Sequence, residues 1–248
     1  MAQKTRSSIE VGVNGILHTF NTGIVRELVS GETNVSPDEM FQGKWIMVNM
    51  SPSAWGDIGN FVNAGWKYLT QRAVLRRQAG EGDTFNVIWC DEAQRNVNSF
   101  DSQYLAHRRS HLGCMVFLTQ SLSSFYSVLM VSAGRHQADA LMANFGHTII
   151  HACDPITAQW ASSKLGKKLE TFIGGSMAPS NDLWDDLWGR SQYTGSFSEH
   201  YEPVLQEHVF AERPRTGGIS TACDAILLRN GQPFSHECNW LNVSFSQK

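Results

Sequence analysis

No stretch of this 248-residue sequence is built to cradle a phosphate. The pattern G-x-x-x-x-G-K-[ST] is missing, and its nearest fragment, Leu165-Gly166-Lys167-Lys168, follows a helical stretch and has no Ser or Thr to reach Mg²⁺. Without such a loop the chain is expected to bind nucleotide poorly if at all. There is no G-x-S-x-G, so a hydrolase elbow is excluded. The five Cys (90, 114, 153, 223 and 238) show no C-x-x-C spacing, which argues against a zinc site and a disulfide framework. Cys90, Cys114 and Cys153 each sit in an apolar run and read as small buried residues of a reducing compartment. The net charge of −3 gives no bulk basic signal for nucleic acid, although a ring that contacts DNA only in its channel stays compatible with it. No apolar run approaches membrane-spanning length and no signal peptide precedes residue 10, so the chain is expected to be soluble. Internal repeats and low-complexity tracts are also absent.

Hydrophobic residues make up 42% of the chain, including 8 Trp and 13 Phe, enough for one large domain or one and a half small ones. Ile9, Val13, Ile16, Leu17, Phe20, Ile24, Val25 and Leu28 recur at helical spacing over residues 4–30, with a break near Asn21-Thr22-Gly23 and a stop at Gly31. Lys44 to Met50 reads as a strand, closed by Ser51-Pro52-Ser53. A long helix follows over 55–79, with Arg72, Arg76 and Arg77 near its C-terminus. Strands are expected at 85–90, 114–120 and 147–153, and helices at 98–110, 135–145 and from Asp154-Pro155 to Leu165. This alternation predicts an α/β fold, a parallel sheet flanked by helices. Residues 174–200, rich in Ser, Gly and Asp around a Leu183–Trp188 island, read as a loop or docking segment. Residues 225–245 read as a terminal β-hairpin turning at Asn230-Gly231.

Within this frame the chemistry concentrates at Phe85-Asn86-Val87-Ile88-Trp89-Cys90-Asp91-Glu92-Ala93-Gln94. An apolar strand that ends in two carboxylates places them at the carboxyl edge of the sheet, where α/β proteins bind ligands. In P-loop NTPases a carboxylate at this place helps bind the nucleotide's Mg²⁺. Asp91 takes that part here, and Glu92 could orient the attacking water. The plainer reading is a solvated turn with acids at a helix start. Gln120 ends the next strand and can lie beside Asp91 and Glu92, to contact a γ-phosphate or the water, or simply to face solvent. Arg108 and Arg109 close the helix before that strand. Arg109 is the candidate arginine finger for a neighbouring subunit's nucleotide, with helix capping as the alternative for both. His147 and His151 lie on one strand face and read as structural.

Taken in order, a set of segments resembles the conjugative coupling proteins of type IV secretion, the TraG/TraD group with its TraM-recognition region. The segments are Thr5–Glu10, Gly43-Lys44, Trp66-Lys67-Tyr68 with Gln71–Val74 and Arg76-Arg77, Asp91–Gln94, Arg109-Ser110, Thr119-Gln120-Ser121, Ala138–Phe145, Asp154–Thr157 with Trp160–Ser162, and Arg215–Gly218. The resemblance implies a hexameric RecA-like motor that spends ATP, with Mg²⁺, on moving single-stranded DNA and its attached relaxase towards secretion-channel proteins. It implies an N-terminal membrane anchor and a phosphate loop ahead of the Asp91 strand, both missing here. On that pattern the chain corresponds to the C-terminal half, as a truncated gene, an excised domain or a split protein, inactive alone and cytoplasmic at the inner face of the inner membrane when full-length. Residues 1–172 would be the RecA-like portion, 173–202 a docking segment and 203–248 a hairpin extension. Asp91 matches the Mg²⁺-linked carboxylate, Glu92 the water-activating residue, Gln120 the γ-phosphate sensor and Arg109 the region of the trans-acting arginine. The spacing from Arg109 to Gly113 is one residue longer than the family's. Two further readings stand beside this one. One is a non-catalytic module that recognises relaxosome or channel proteins through 174–200 or the terminal hairpin. The other is a helicase box at Asp91–Gln94, which Thr119-Gln120-Ser121, in place of a Ser-Ala-Thr triplet, speaks against.

Overall fold

The computed structural model describes residues 3–21, 23–132, 135–178, 192–212, 221–234 and 238–247. Leu183–Trp188 and Arg215–Gly218 lie outside these. The chain divides into two compact units, residues 1–145 and 146–248.

The first unit opens with α1 (Gln3–Phe20) and α2 (Gly23–Ser30), separated where the Asn-Thr-Gly break is expected. A 3-10 turn over Pro37–Gln42 follows, started by a Ser36–Glu39 capping box. Helix α3 (Pro52–Arg76) starts on a Ser51 cap and bends at Gly56, whose φ of 54° and ψ of −136° suit only glycine. Its end is fastened by Arg77, which donates to the Thr84 and His111 carbonyls at 3.0 and 2.8 Å. Strand β1 (Asn86–Cys90), helix α4 (Ser99–His107) with a 3-10 extension to His111, and strand β2 (Gly113–Phe117) come next. The unit ends in α5 (Leu122–Ser132) and α6 (Arg135–Ala143). β1 and β2 pair in parallel, Asn86 opposite Gly113 and Cys90 opposite Phe117. Gly113 is required by packing. A Cβ there would sit 2.6 Å from the Tyr104 hydroxyl and 2.9 Å from Val74, both fully buried.

The second unit contains β3 (His147–Ile150), α7 (Pro155–Leu165), β4 (Lys167–Ala178), β5 (Gln192–Pro203), α8 (Glu207–Glu212), β6 (Ala222–Arg229) and β7 (Trp240–Ser246). β6 is the middle of an antiparallel sheet with β3 and β7. Its core gathers Ile150, Ala158, Ala161, Leu205, Phe210, Ile226 and Leu228. Asp154 starts α7 by accepting from the Ile156 and Thr157 amides.

The α/β class holds, with a parallel pair of strands, flanking helices and a terminal β-hairpin. Four local expectations are corrected. Residues 44–50 form no strand; they run without regular structure, Trp45 fully exposed. β-propensity reflects a fit against neighbouring strands, and no described strand pairs with this segment. The strand expected at 147–153 is shorter and antiparallel to β6, with His147 and Ile149 exposed, as suits a sheet wet on one face. Residues 174–178 and 192–200, expected as loop, belong to a twelve-residue-per-strand ribbon of β4 and β5; Ser and Gly hid the alternation there. α5 and α8 have no counterpart in the sequence reading. In the terminal hairpin β6 already ends at Arg229, so Asn230-Gly231 opens a longer connection and does not form a two-residue turn.

Candidate functional site

Asp91 and Glu92 follow β1 directly. The strand pairing runs on past the regular ladder, since the Leu118 amide donates to the Cys90 carbonyl and the Ala93 amide to the Leu118 carbonyl, both at 2.9 Å. These two bonds fix the chain on either side of the carboxylate pair. Between them Glu92 adopts φ 47° and ψ 45°, left-handed backbone that disfavours a Cβ by roughly 1–2 kcal/mol. Such a residue persists only where its surroundings determine it, and it is a pointer to function.

Glu92 is the centre of a polar cluster. Gln120 donates from Nε2 to Glu92 Oε1 at 3.1 Å. Gln94 donates from Nε2 to Glu92 Oε2 in a short contact. The Arg95 guanidinium lies 3.9 Å from the same oxygen, half exposed, so its attraction is mostly screened. Asp91 is exposed and accepts from the Glu92 amide at 2.9 Å through Oδ1. The structure therefore brings Asp91, Glu92 and Gln120 to one strand edge. Gln94, the last residue of the Asp-Glu-Ala-Gln run, joins them as a direct partner of Glu92.

Arg109 is not part of this group. It sits in the 3-10 turn leading into the start of β2. Because β1 and β2 run parallel, that turn lies at the opposite end of the sheet, about 13 Å away at the rise of a five-residue strand. Arg109 is exposed and its side chain makes no ion pair among the described residues. Helix-end geometry alone accounts for its position in this unit.

Behind the carboxylate turn lies a buried polar network that the sequence reading missed. Lys67 of α3 is 5% exposed and Asp101 of α4 is fully buried. The Lys67 ammonium donates to Asp101 Oδ2 at 2.6 Å and to the Asn96 carbonyl at 2.5 Å. Gln71 donates to Asp101 Oδ1 at 2.7 Å, and the Asn98 amide to Oδ2 at 2.8 Å. Gln71 is one turn after Lys67, so both reach inward from one helix face. The Asn98-x-x-Asp101 capping box was the available signal. Cys90, at the end of β1, has its thiol pushed up to about 11 by burial, which disfavours the reactive thiolate.

His151 Nδ1 sits 3.0 Å from the Asp224 carbonyl and 3.3 Å from Cys223 Sγ, and no group of three or more His, Cys, Asp or Glu that could hold a metal ion occurs among the described residues. Gly166 caps the C-terminus of α7, where the helix presents carbonyls instead of the amides that bind anions. The Leu165–Lys168 fragment is thus no phosphate cradle. All five Cys are free. No helix among the described residues is long and apolar enough to cross a membrane.

No family model and no curated protein matches the sequence. Among solved structures the chain is similar in fold to the bacterial conjugative coupling protein TrwBΔN70, in its unbound monoclinic form. The TM-score is 0.51 at 16% identity, over 76% of this chain and 38% of that one. It is likewise similar to the plasmid coupling protein TrwB in complex with the non-hydrolysable GTP analogue GDPNP, with a TM-score of 0.50 at 16% identity over 79% and 38%. The chain spans little more than a third of the length of these two structures.

Proposed function

We propose that this chain is the catalytic-carboxylate part of a coupling-type ATPase motor that moves single-stranded DNA and its relaxase towards a type IV secretion channel. The observation that carries this reading is the Gln120–Glu92 hydrogen bond across two parallel strand ends. It supports a nucleotide-facing edge on which Glu92 polarises the attacking water and Gln120 reports the γ-phosphate. The coupling-protein fold of the structural neighbours supports the motor class.

The donors at this edge suit Mg²⁺ in part. Asp91 and Glu92 offer hard oxygens, and Mg²⁺ is commonly held by one or two carboxylates together with substrate phosphates. Asp91 is the residue that would hold it, through water. Bound there, the ion would neutralise charge on the phosphates. For ATP itself the chain has no cradle, so another segment must supply it. The outer face of β1 supports the same reading. Val87 and Trp89 are more than half exposed, whereas parallel strands are normally covered on both faces. Arg109, at the far end of the sheet, would serve a neighbouring subunit's nucleotide in a ring such as a hexamer. In the full assembly a separate anchor would hold the motor at the inner membrane.

The purified chain is expected to show no Mg²⁺-dependent ATP turnover. Turnover that Glu92→Gln abolishes would show that the chain has its own cradle and would overturn this account.

One observation favours the recognition reading as the second choice. On one face of the β4–β5 ribbon, Leu169, Ile173, Phe197 and Tyr201 stand in two facing pairs, Leu169 opposite Tyr201 and Ile173 opposite Phe197, each at least half exposed. A free two-stranded ribbon is marginal in water. The double variant Ile173→Thr/Phe197→Thr should lose capture of relaxosome or channel proteins in a pull-down while keeping its fold. Unchanged capture would remove this reading.

A further inference from the structure

We infer that Lys67 and Asp101 are a positioning pair that holds Glu92 in its left-handed conformation. The inference rests on the reading of Glu92 as the water-polarising carboxylate and adds the device that keeps it in place. The bonds of Glu92 itself are all local or exposed: its amide donates to Asp91 Oδ1 and its carbonyl accepts from the Arg95 amide, both at 2.9 Å, and its carboxylate accepts from Gln94 in the adjoining turn and from the exposed Gln120. The turn must be held from outside. On the strand side this is done by Ala93, whose amide reaches the Leu118 carbonyl. On the other side the turn Ala93–Arg95 closes on Asn96, whose amide donates to the Ala93 carbonyl at 3.1 Å.

The Asn96 carbonyl is then taken by the Lys67 ammonium at 2.5 Å. Two residues on, the Asn98 amide is taken by Asp101 Oδ2, which also receives Lys67. One buried charge pair thus grips the chain at both ends of Asn96–Asn98. Gln71 fixes the other Asp101 oxygen, and the Lys67 ammonium lies 5.5 Å from the centre of the Phe117 ring at the end of β2. With both partners almost wholly dehydrated, the interaction is little screened and its geometry is narrow. An apolar core could fill the same volume with equal or greater stability. It could not accept or donate at the Asn96 carbonyl and the Asn98 amide, which is what position demands.

The test uses the full chain and no nucleotide, so it can fail independently of the ATPase reading. The probes are the ¹⁵N–¹H side-chain amide signals of Gln94 and Gln120, both donors to Glu92. Glu92→Gln marks where these signals fall when the carboxylate is gone. Lys67→Met/Asp101→Leu removes both charges together and so avoids an orphaned one. In this variant the two signals are expected to move at least half-way to their Glu92→Gln positions, whereas Leu141→Ala, a core truncation elsewhere in the same unit, lowers the melting temperature and leaves them in place, a split that loss of packing alone does not produce. Unmoved signals in the folded double variant would overturn the proposal. Should that variant not fold, hydrogen exchange of the wild type decides instead. The Ala93, Arg95 and Asn96 amides must open together with those of α4, and separate, earlier opening would equally overturn it.

Discussion

Asp101→Ala is expected to cost the first unit roughly 3–5 kcal/mol, the penalty of leaving a buried ion without its partner. Lys67 would be left at 5% exposure with only the Asn96 carbonyl for company. Gln71 Nε2 and the Asn98 amide would lose their acceptor as well, and each unsatisfied donor adds to the loss. The exposed pairs Arg6–Glu10 and Lys168–Glu170 have similar N–O distances, yet water screens them and their removal should matter little. Burial, not separation, decides between them. Urea unfolding followed by hydrogen exchange at the α3 amides reads the effect in this unit alone. A loss below about 1 kcal/mol would mean that water reaches the pair and screens it like a surface ion pair.

What could be read in the sequence was what local chemistry decides. The α1–α2 break, the long helix expected over 55–79, the Asp154-Pro155 start of α7 and the apolar runs of β1 and β2 all have short-range causes, and the structure has each of them, with α3 running from Pro52 to Arg76. Residues 44–50 have the same apolar character but no described strand beside them, and pattern alone does not supply one. Ala222–Arg229 and His147–Ile150 were both visible as strands, but their pairing with each other, about eighty residues apart, leaves no local trace. α8 has six residues, too few to announce itself without the core that holds it.

The site followed the same division. Asp91, Glu92 and Gln120 were legible because strand-end carboxylates and a strand-end amide fall at one sheet edge by topology. The left-handed turn at Glu92 was not, since a non-glycine residue there is a tertiary outcome. Nor was the Lys67–Gln71–Asp101 network, because Lys and Gln one turn apart on a long helix ordinarily mark its wet face. Arg109 was placed correctly at a helix end, and it is the parallel pairing of β1 with β2 that takes it away from the carboxylates of its own chain.

Phe210→Ala is expected to cost the second unit about 3–5 kcal/mol, through a cavity that its neighbours cannot close. Phe210 is fully buried among Ile150, Ala158, Ala161, Leu205, Ile226 and Leu228, and it is the buried residue of α8. A helix of six residues has no stability of its own, so the truncation should free α8 along with the side chain. The effect reaches the ribbon. Its base is closed where the Val204 amide donates to the Gly166 carbonyl at 3.1 Å and Ser162 donates to the Leu205 carbonyl at 2.7 Å. Leu205 belongs to the same core as Phe210. Loosening that core should therefore speed exchange of amides at Val204 and in the first residues of β4, whereas Ile173→Thr/Phe197→Thr, at exposed positions, should leave them protected. Two variants that both weaken partner capture are separated in this way. Loss with intact protection at Val204 belongs to the ribbon face, and loss with fast exchange belongs to the unit's stability. If Phe210→Ala leaves the α8 and Val204 amides as protected as in the wild type, the core does not hold the ribbon's base.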